Sequence, residues 1–80
     1  MLPEPSGRPK GVQVRANGTE LVIEAPATVA ELVRLLVPDA RLRRGIAVAR
    51  NMEVVPRSRW ESEKLSEGDS FELLSPAQGG

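Results

Sequence analysis

The sequence predicts an α+β domain in which one helix packs across one face of a mixed β-sheet, with the element order β-β-α-β-β-β. Two observations predict this fold. Apolar residues alternate with polar ones on both sides of an Asn17-Gly18 pair, and the apolar period then lengthens from two residues to about 3.6 before it shortens again. Because a single helix covers only one face of such a sheet, the other face must be partly polar or bind a partner.

The first two strands form a β-hairpin over residues 12–25. Val12 and Val14 alternate with polar residues, as in a half-buried strand, and the same alternation returns over residues 19–25. Asn17-Gly18 lies between them, and this pair favours a two-residue hairpin turn because both residues tolerate positive φ.

The stretch "APATVAELVRLLVPD" predicts a helix over residues 29–37. Thr28 lies three residues before Glu31, which is the spacing of a capping box that pairs free amides at a helix start. Pro38 lacks an amide hydrogen and ends the helix. Four residues at helical spacing form one apolar stripe, which is expected to pack on the hairpin: Val29, Leu32, Val33 and Leu36.

The second half of the chain contains three short strands. "IAVAR" predicts the third, Asn51-Met52 a turn, "EVV" the fourth and "SFELL" the last. "DARLRRG" is expected to be a solvated basic loop, and "RSRWESEKL" an irregular stretch or a single helical turn. Since Met tolerates positive φ poorly, a type I′ turn would be strained at Met52. Trp60 is expected to pack over the sheet edge rather than to anchor a partner, and Arg57 and Arg59 are expected to lie in solvent.

The composition excludes several classes of function. The 80 residues include no Cys and no His, which rules out a disulfide scaffold, a Cys/His zinc site, a Cys nucleophile and a His general base. Eleven basic and 11 acidic residues balance, and Phe71 and Trp60 are the only aromatic residues, so nucleic acid is not an expected partner. No run is apolar enough to span a membrane, and "MLPEPSGRPKG" lacks a signal sequence. We therefore expect a cytoplasmic monomer that is not itself an enzyme and holds no metal or cofactor.

Three regions are expected along the chain. Residues 1–11 are rich in Pro, Gly and charge and are predicted to be a disordered leader. Residues 12–75 form the folded domain, and residues 76–80 form a flexible tail that ends in Gly-Gly.

The tail is the chemically distinctive part of the sequence. Ala77, Gln78, Gly79 and Gly80 would extend up to about 14 Å beyond Pro76, which ends the last strand. Without Cβ atoms, the two glycines can pass through a tunnel too narrow for any side chain. We expect the tail to enter another protein's active site and to present the α-carboxylate of Gly80, which becomes reactive once ATP converts it to an acyl-adenylate.

The stretch "IAVARNMEVVPRSRWESEKLSEGDSFELLSPAQGG" resembles the sulfur carrier proteins of the thiamine pathway, the ThiS family. The resemblance rests on "VARNMEVVPRSRW", on the "L-x-x-GD" turn from Leu65 to Asp69 and on the terminal "QGG". The order of the hairpin and helix extends it to residues 12–80. It implies the ubiquitin-like β-grasp fold.

The resemblance also implies a role in sulfur transfer. An E1-like adenylyltransferase (ThiF) would adenylate Gly80 with ATP and magnesium, while Ala77, Gln78 and Gly79 lie in its active site. A persulfide sulfur, taken from cysteine by a cysteine desulfurase, would convert Gly80 to a thiocarboxylate. Thiazole synthase (ThiG) would then take this sulfur into the thiazole ring of thiamine.

Two features depart from the family pattern, and several alternatives stay open. Met52 stands where the family usually has Gly, and the leader is longer than usual. The alternatives are the small subunit of molybdopterin synthase, a carrier for tRNA thiolation, a ubiquitin-like modifier, and a β-grasp binding module whose C-terminus does no chemistry. "VPRSRW" and the single glutamine before the glycines favour the thiazole type, because the molybdopterin type tends to have a Pro-Pro pair there.

Overall fold

The computed structural model describes residues 10–75. Within them the predicted order β-β-α-β-β-β is confirmed, with two short helical elements added in the second half. The elements in chain order are β1 (Lys10–Ala16), β2 (Thr19–Ala25), α1 (Val29–Leu36), α2 (Ala40–Arg43), β3 (Ala47–Arg50), β4 (Glu53–Val54), a 3₁₀ turn (Arg57–Arg59) and β5 (Ser70–Leu74).

The strands form one mixed sheet in the order β2-β1-β5-β3-β4. The last strand in the sequence, β5, lies at the centre, parallel to β1 and antiparallel to β3. Phe71 is opposite Ala16 on one side and opposite Arg50 on the other. The end of the folded domain is therefore held between two neighbouring strands.

Helix α1 begins with the predicted capping box. The amide of Glu31 donates to Thr28 Oγ1 over 3.3 Å, and the amide of Thr28 donates to Glu31 Oε1 over 2.8 Å. The next two amides, of Val29 and Ala30, donate to carbonyls of the segment that follows the 3₁₀ turn. The amides at the start of the helix thus donate to acceptors within the protein. This removes the free-energy cost of burying amides that have no hydrogen-bond partner.

The core lies between α1 and one face of the sheet. The predicted apolar stripe contributes Val29, Leu32 and Val33, all fully buried, whereas its fourth predicted member, Leu36 at the end of the helix, is 37% exposed and lies outside the core. The sheet and the later loops contribute Val12, Val14, Ile46, Val48, Val55, Trp60, Leu65, Phe71 and Leu73.

The start of β1 and the conformation of the basic stretch differ from the sequence prediction. Strand β1 begins at Lys10 rather than at residue 12, because Lys10 and Gly11 pair with Ala25 and Glu24 and so use the full length of β2. Of the predicted leader, residues 1–9 lie outside the described residues. The basic stretch predicted as a loop contains α2, and Asp39 caps this short helix by accepting a hydrogen bond from the amide of Arg41 over 2.9 Å.

The residues of "RSRW" pack more closely than predicted. Trp60 is only 6% exposed and donates from Nε1 to the carbonyl of Val55 over 3.0 Å, so it belongs to the core beside the edge strand β4 and does not anchor a partner. Arg57 is exposed, as predicted, but its guanidinium lies 4.4 Å from the centre of the Trp60 ring. It also donates to the carbonyls of Arg43 and Arg44 over 2.8 Å each, which ties the end of α2 to the 3₁₀ turn.

Candidate functional site

The residues that the sequence predicts as the site, Ala77, Gln78, Gly79 and Gly80, lie outside the described residues. The described chain ends at Ser75, directly after β5. The structure therefore describes the base from which the predicted tail leaves the domain.

The base of the tail lies at the centre of the sheet. Leu73 and Leu74 lie opposite Val48 and Ala47 of β3. Leu73 is buried under the helix, whereas Leu74 points to the opposite face and is 63% exposed. Since a central strand is held from both sides, the position from which the tail starts is well defined relative to the rest of the domain.

Asn17 holds the end of β5 from the β1 side. Its backbone amide donates to the carbonyl of Phe71 over 2.9 Å, continuing the parallel ladder. Its side chain then pairs with Leu73: Oδ1 accepts from the Leu73 amide over 2.9 Å, and Nδ2 donates to the Leu73 carbonyl over 3.4 Å. The sequence marks Asn17 only as a turn residue, because its partner is 56 positions away.

Asn51 makes the equivalent contacts at the other end of β5. Its backbone amide donates to the carbonyl of Ser70 over 2.7 Å, and its Oδ1 accepts from the Ser70 amide over 2.9 Å. Both asparagines have φ of 50°, the left-handed conformation that Asn adopts more readily than most residues. The two hairpin turns, one on each side of β5, thus each use an asparagine side chain to hold this strand.

The turn at Asn51-Met52 has positive φ at both positions, as a type I′ turn requires. Met52 has φ of 73° and its side chain is 94% exposed. The predicted strain at Met52 is therefore present, and its side chain lies in solvent.

The face of the sheet opposite α1 carries an apolar patch next to the tail. Alternation along the strands and the register between them bring Ala47, Ala49, Val54 and Leu74 to this face, and we call these four residues the open-face patch. Glu72, which is opposite Ala49, lies on the same face and places one carboxylate among them. Val54 is 75% exposed. Leu74, one residue before the end of the described chain, makes the patch continuous with the base of the tail.

The other half of the same face is mostly polar. Arg15 on β1 forms an ion pair of 2.9 Å with Glu20 on β2, and Gln13 donates to the same Glu20 side chain over 3.0 Å. Val22, opposite Gln13 on this part of the face, is 71% exposed. The open face thus meets the sequence expectation that it is partly polar, and the four residues of the open-face patch lie on the side of β5 and β3.

A partly buried ionic network lies on the helix side, below the turn at Asn51. Arg50 forms ion pairs with Glu63 at 2.7 Å and with Asp69 at 2.9 Å, and it donates to the carbonyl of Lys64. Asp69 is only 7% exposed. The sequence analysis missed this network, although the arginine within "VARN" and the aspartate of the "GD" turn were both in the quoted motifs.

The environment of Asp69 lowers its pKa. Burial disfavours the charged carboxylate and alone would raise the pKa, but the opposing contacts outweigh it. The carboxylate accepts hydrogen bonds from the Ser66 amide, from Asn51 Nδ2 and from Arg50, whose positive charge favours the ionised form further. Asp69 is therefore a structural carboxylate that stays ionised.

Two further observations concern residues 10–75. Among these residues, no three or more acidic side chains come together in a way that would hold a metal ion. No helix within this range has the length and apolar character to cross a membrane.

Comparison with known families decides what the chain is. The model of the ThiS family matches residues 11–80, which include every described residue except Lys10, together with the terminal glycines. The chain belongs to the ThiS family. The resemblance inferred from the sequence is thus confirmed.

A solved structure gives the fold. The thiamine biosynthesis protein ThiS from Geobacter metallireducens superposes with a TM-score of 0.64 at 26% sequence identity, covering 79% of this chain and 91% of that protein. The mixed five-stranded sheet with one main helix is therefore the ubiquitin-like β-grasp arrangement predicted for the family.

A second relative is much longer than this chain. A thiazole synthase from Paramagnetospirillum magneticum is 36% identical over 64 residues, which are 80% of this chain and 19% of the relative. This chain thus spans about a fifth of that protein's length.

Proposed function

We propose that this protein is a sulfur carrier of thiamine biosynthesis, in which the carboxylate of Gly80 is adenylated, converted to a thiocarboxylate and used as the sulfur donor for thiazole formation. The observation that carries the proposal is the ThiS family match, which runs through residue 80 and so includes the Gly79-Gly80 pair. The similarity to a thiazole synthase supports the choice of thiazole formation.

The chemistry needs no catalytic side chain from this protein. An oxygen of the Gly80 carboxylate attacks the α-phosphate of magnesium-bound ATP, and pyrophosphate leaves. The terminal sulfur of a persulfide attacks the resulting acyl carbon and releases AMP. A thiol then cleaves the S–S bond of the adduct by disulfide exchange, which leaves a thiocarboxylate on Gly80. The protein is the co-substrate of these steps, and a ThiF-like adenylyltransferase carries out the first.

The open-face patch supplies a docking surface for the adenylyltransferase. Of its most exposed members, Leu74 stands at the base of the tail and Val54 lies two strands away, on the edge strand β4. A partner that covers them also receives the residues that follow Ser75. Burying both side chains would contribute roughly 1.5–3 kcal/mol each to association before the costs of binding.

The mass of the intact protein tests the proposal. The protein is incubated with ATP, magnesium, a ThiF-like adenylyltransferase, a cysteine desulfurase and cysteine. We expect its mass to change by the difference of one sulfur for one oxygen, and fragmentation should place the change on Gly80. Omitting ATP, or deleting Gly79 and Gly80, should abolish the change.

The other functions give different results in the same experiment. A binding module whose C-terminus does no chemistry would keep its mass, which would refute the proposal. A ubiquitin-like modifier would appear as conjugates on lysines. To separate the sulfur pathways, the charged protein is offered to thiazole synthase and to molybdopterin synthase, and we expect only thiazole synthase to consume the thiocarboxylate.

A further inference from the structure

Asn17 occupies the point at which β5 loses one of its two neighbours. Strand β1 ends at Ala16, which is opposite Phe71, and the hairpin turn then takes the chain away from the sheet. Beyond Phe71, the edge of β5 that faces β1 has no further residue of that strand beside it. The side chain of Asn17 takes this place by pairing with both the amide and the carbonyl of Leu73.

These contacts act on the last residues before the tail. Leu73 lies opposite Val48 of β3, but the Val48 carbonyl accepts from Val55, and the amide and carbonyl of Leu73 both face the Asn17 side chain. Without the side chain, the end of β5 would be attached to β3 alone and would be free to swing about that edge. Any group attached further along the chain would then sample a larger volume relative to the open-face patch.

We propose that Asn17 is a positioning residue for the activation of Gly80, because it sets the direction in which the chain leaves the sheet while the open face docks. The inference rests on the proposed function. Docking and tail entry are separate steps, and Asn17 acts on the second. Loss of the Asn17 side chain lowers the fraction of docked complexes in which the Gly80 carboxylate meets ATP. The substitution therefore lowers kcat and leaves KM unchanged.

Asn51 provides a matched control. It has the same φ of 50° in the other turn, and its side chain makes two hydrogen bonds, to the Ser70 amide and to Asp69. Replacing either asparagine with glycine keeps the positive φ and removes two side-chain hydrogen bonds. The two variants therefore lose similar contacts, but Ser70 starts β5 and Leu73 lies near its end.

The test is the steady-state kinetics of ATP-dependent activation by a ThiF-like adenylyltransferase, with the carrier as the varied substrate. We expect Asn17→Gly to lower kcat about three- to tenfold with KM unchanged, and Asn51→Gly to leave both unchanged. Asn17→Asp should give an intermediate kcat, because it can accept from the Leu73 amide but cannot donate to the carbonyl. Circular dichroism at the assay temperature verifies that all three variants are folded.

Amide hydrogen exchange supplies a second readout that is independent of the partner enzyme. In Asn17→Gly the Leu73 amide should exchange faster than in the wild type, whereas in Asn51→Gly it should not. Equal kinetic losses in both glycine variants, a change in KM alone, or wild-type kcat in Asn17→Gly would overturn the positioning role. A wild-type protein that is never adenylated would instead overturn the proposed function itself, and with it the role in activation.

Discussion

Met52 adopts a backbone conformation that is unfavourable for a residue with a side chain. It has φ of 73°, a region in which an L-residue with a Cβ pays roughly 1–2 kcal/mol. Its side chain is 94% exposed, so burial offsets little of this cost. The turn is maintained by its neighbour Asn51, whose side chain binds β5.

We therefore predict that Met52→Gly stabilises the domain by about 1 kcal/mol, because glycine adopts positive φ without strain. Urea unfolding measures the change. Met52→Ala is the control: it removes the side chain but keeps the Cβ, so it should gain much less. Activation of the glycine variant should match the wild type. A less stable glycine variant, or an equal gain in the alanine variant, would show that backbone strain is not the cause.

At the scale of elements, the network around Arg50 connects β3 to the long segment between the 3₁₀ turn and β5. Glu63 and Asp69 both belong to that segment, and both pair with Arg50. The guanidinium is mostly shielded from solvent, and its centre lies 5.9 Å from the centre of the Phe71 ring. These charges add to backbone hydrogen bonds with β1, in which the Gly68 amide donates to the carbonyl of Gln13 and the Arg15 amide donates to the carbonyl of Asp69.

The lowered pKa of Asp69 makes part of this attachment dependent on pH. A carboxylate whose pKa is lower in the folded state contributes its full stability above its ordinary pKa of 3.8, and this contribution is lost as the pH falls further. We predict that Asp69→Asn lowers the free energy of unfolding by about 1–3 kcal/mol at pH 7, and that the difference from the wild type shrinks below about pH 4.

Urea unfolding between pH 2.5 and 7 measures the effect. Glu61→Gln is the matched control, since Glu61 pairs with Arg34 at 3.3 Å on the surface and is 75% exposed in its side chain. Its substitution should change the stability by less than about 0.5 kcal/mol at every pH. A difference for Asp69→Asn that stays constant over the whole pH range would contradict the assignment.

At the scale of the whole molecule, the core and the proposed chemistry occupy different parts of the chain. The buried residues of the core cluster lie between Val12 and Leu73, whereas the proposed reacting group is on Gly80. The central position of β5 joins the two parts, because the strand that packs under the helix is also the strand that leads to the tail. Changes at the C-terminus should therefore affect activation without affecting folding.

We predict that one extra residue after Gly80 abolishes ATP-dependent activation and changes the melting temperature by less than about 1 °C. The peptide bond removes the carboxylate oxygen that attacks ATP, and the added residue lies outside the core. Pyrophosphate release and a thermal melt measure the two effects. A glycine added before Met1 is the control and should be activated normally. Pyrophosphate release at the wild-type rate from the C-terminally extended protein would rule out the mechanism.

Local patterns in the sequence were sufficient for most of the fold. The hairpin follows from two-residue alternation around Asn17-Gly18, and α1 from an apolar stripe with a capping box. The positive φ at Met52 follows from the two-residue turn that Asn51 begins. Each of these features depends on residues at most fifteen positions apart, whose steric and hydrogen-bonding preferences act before the chain is folded. The family match confirms the resemblance carried by "VPRSRW" and the "GD" turn.

Only the tertiary structure decided which side chains hold these elements together. Asn17 and Leu73 are 56 positions apart, and Arg50 and Asp69 are 19 apart. Their contacts exist because β5 inserts between β1 and β3, and no local pattern encodes which strands become neighbours. Strand order is set by burial summed over the whole domain, so a contact that depends on strand order is decided only when the chain is folded.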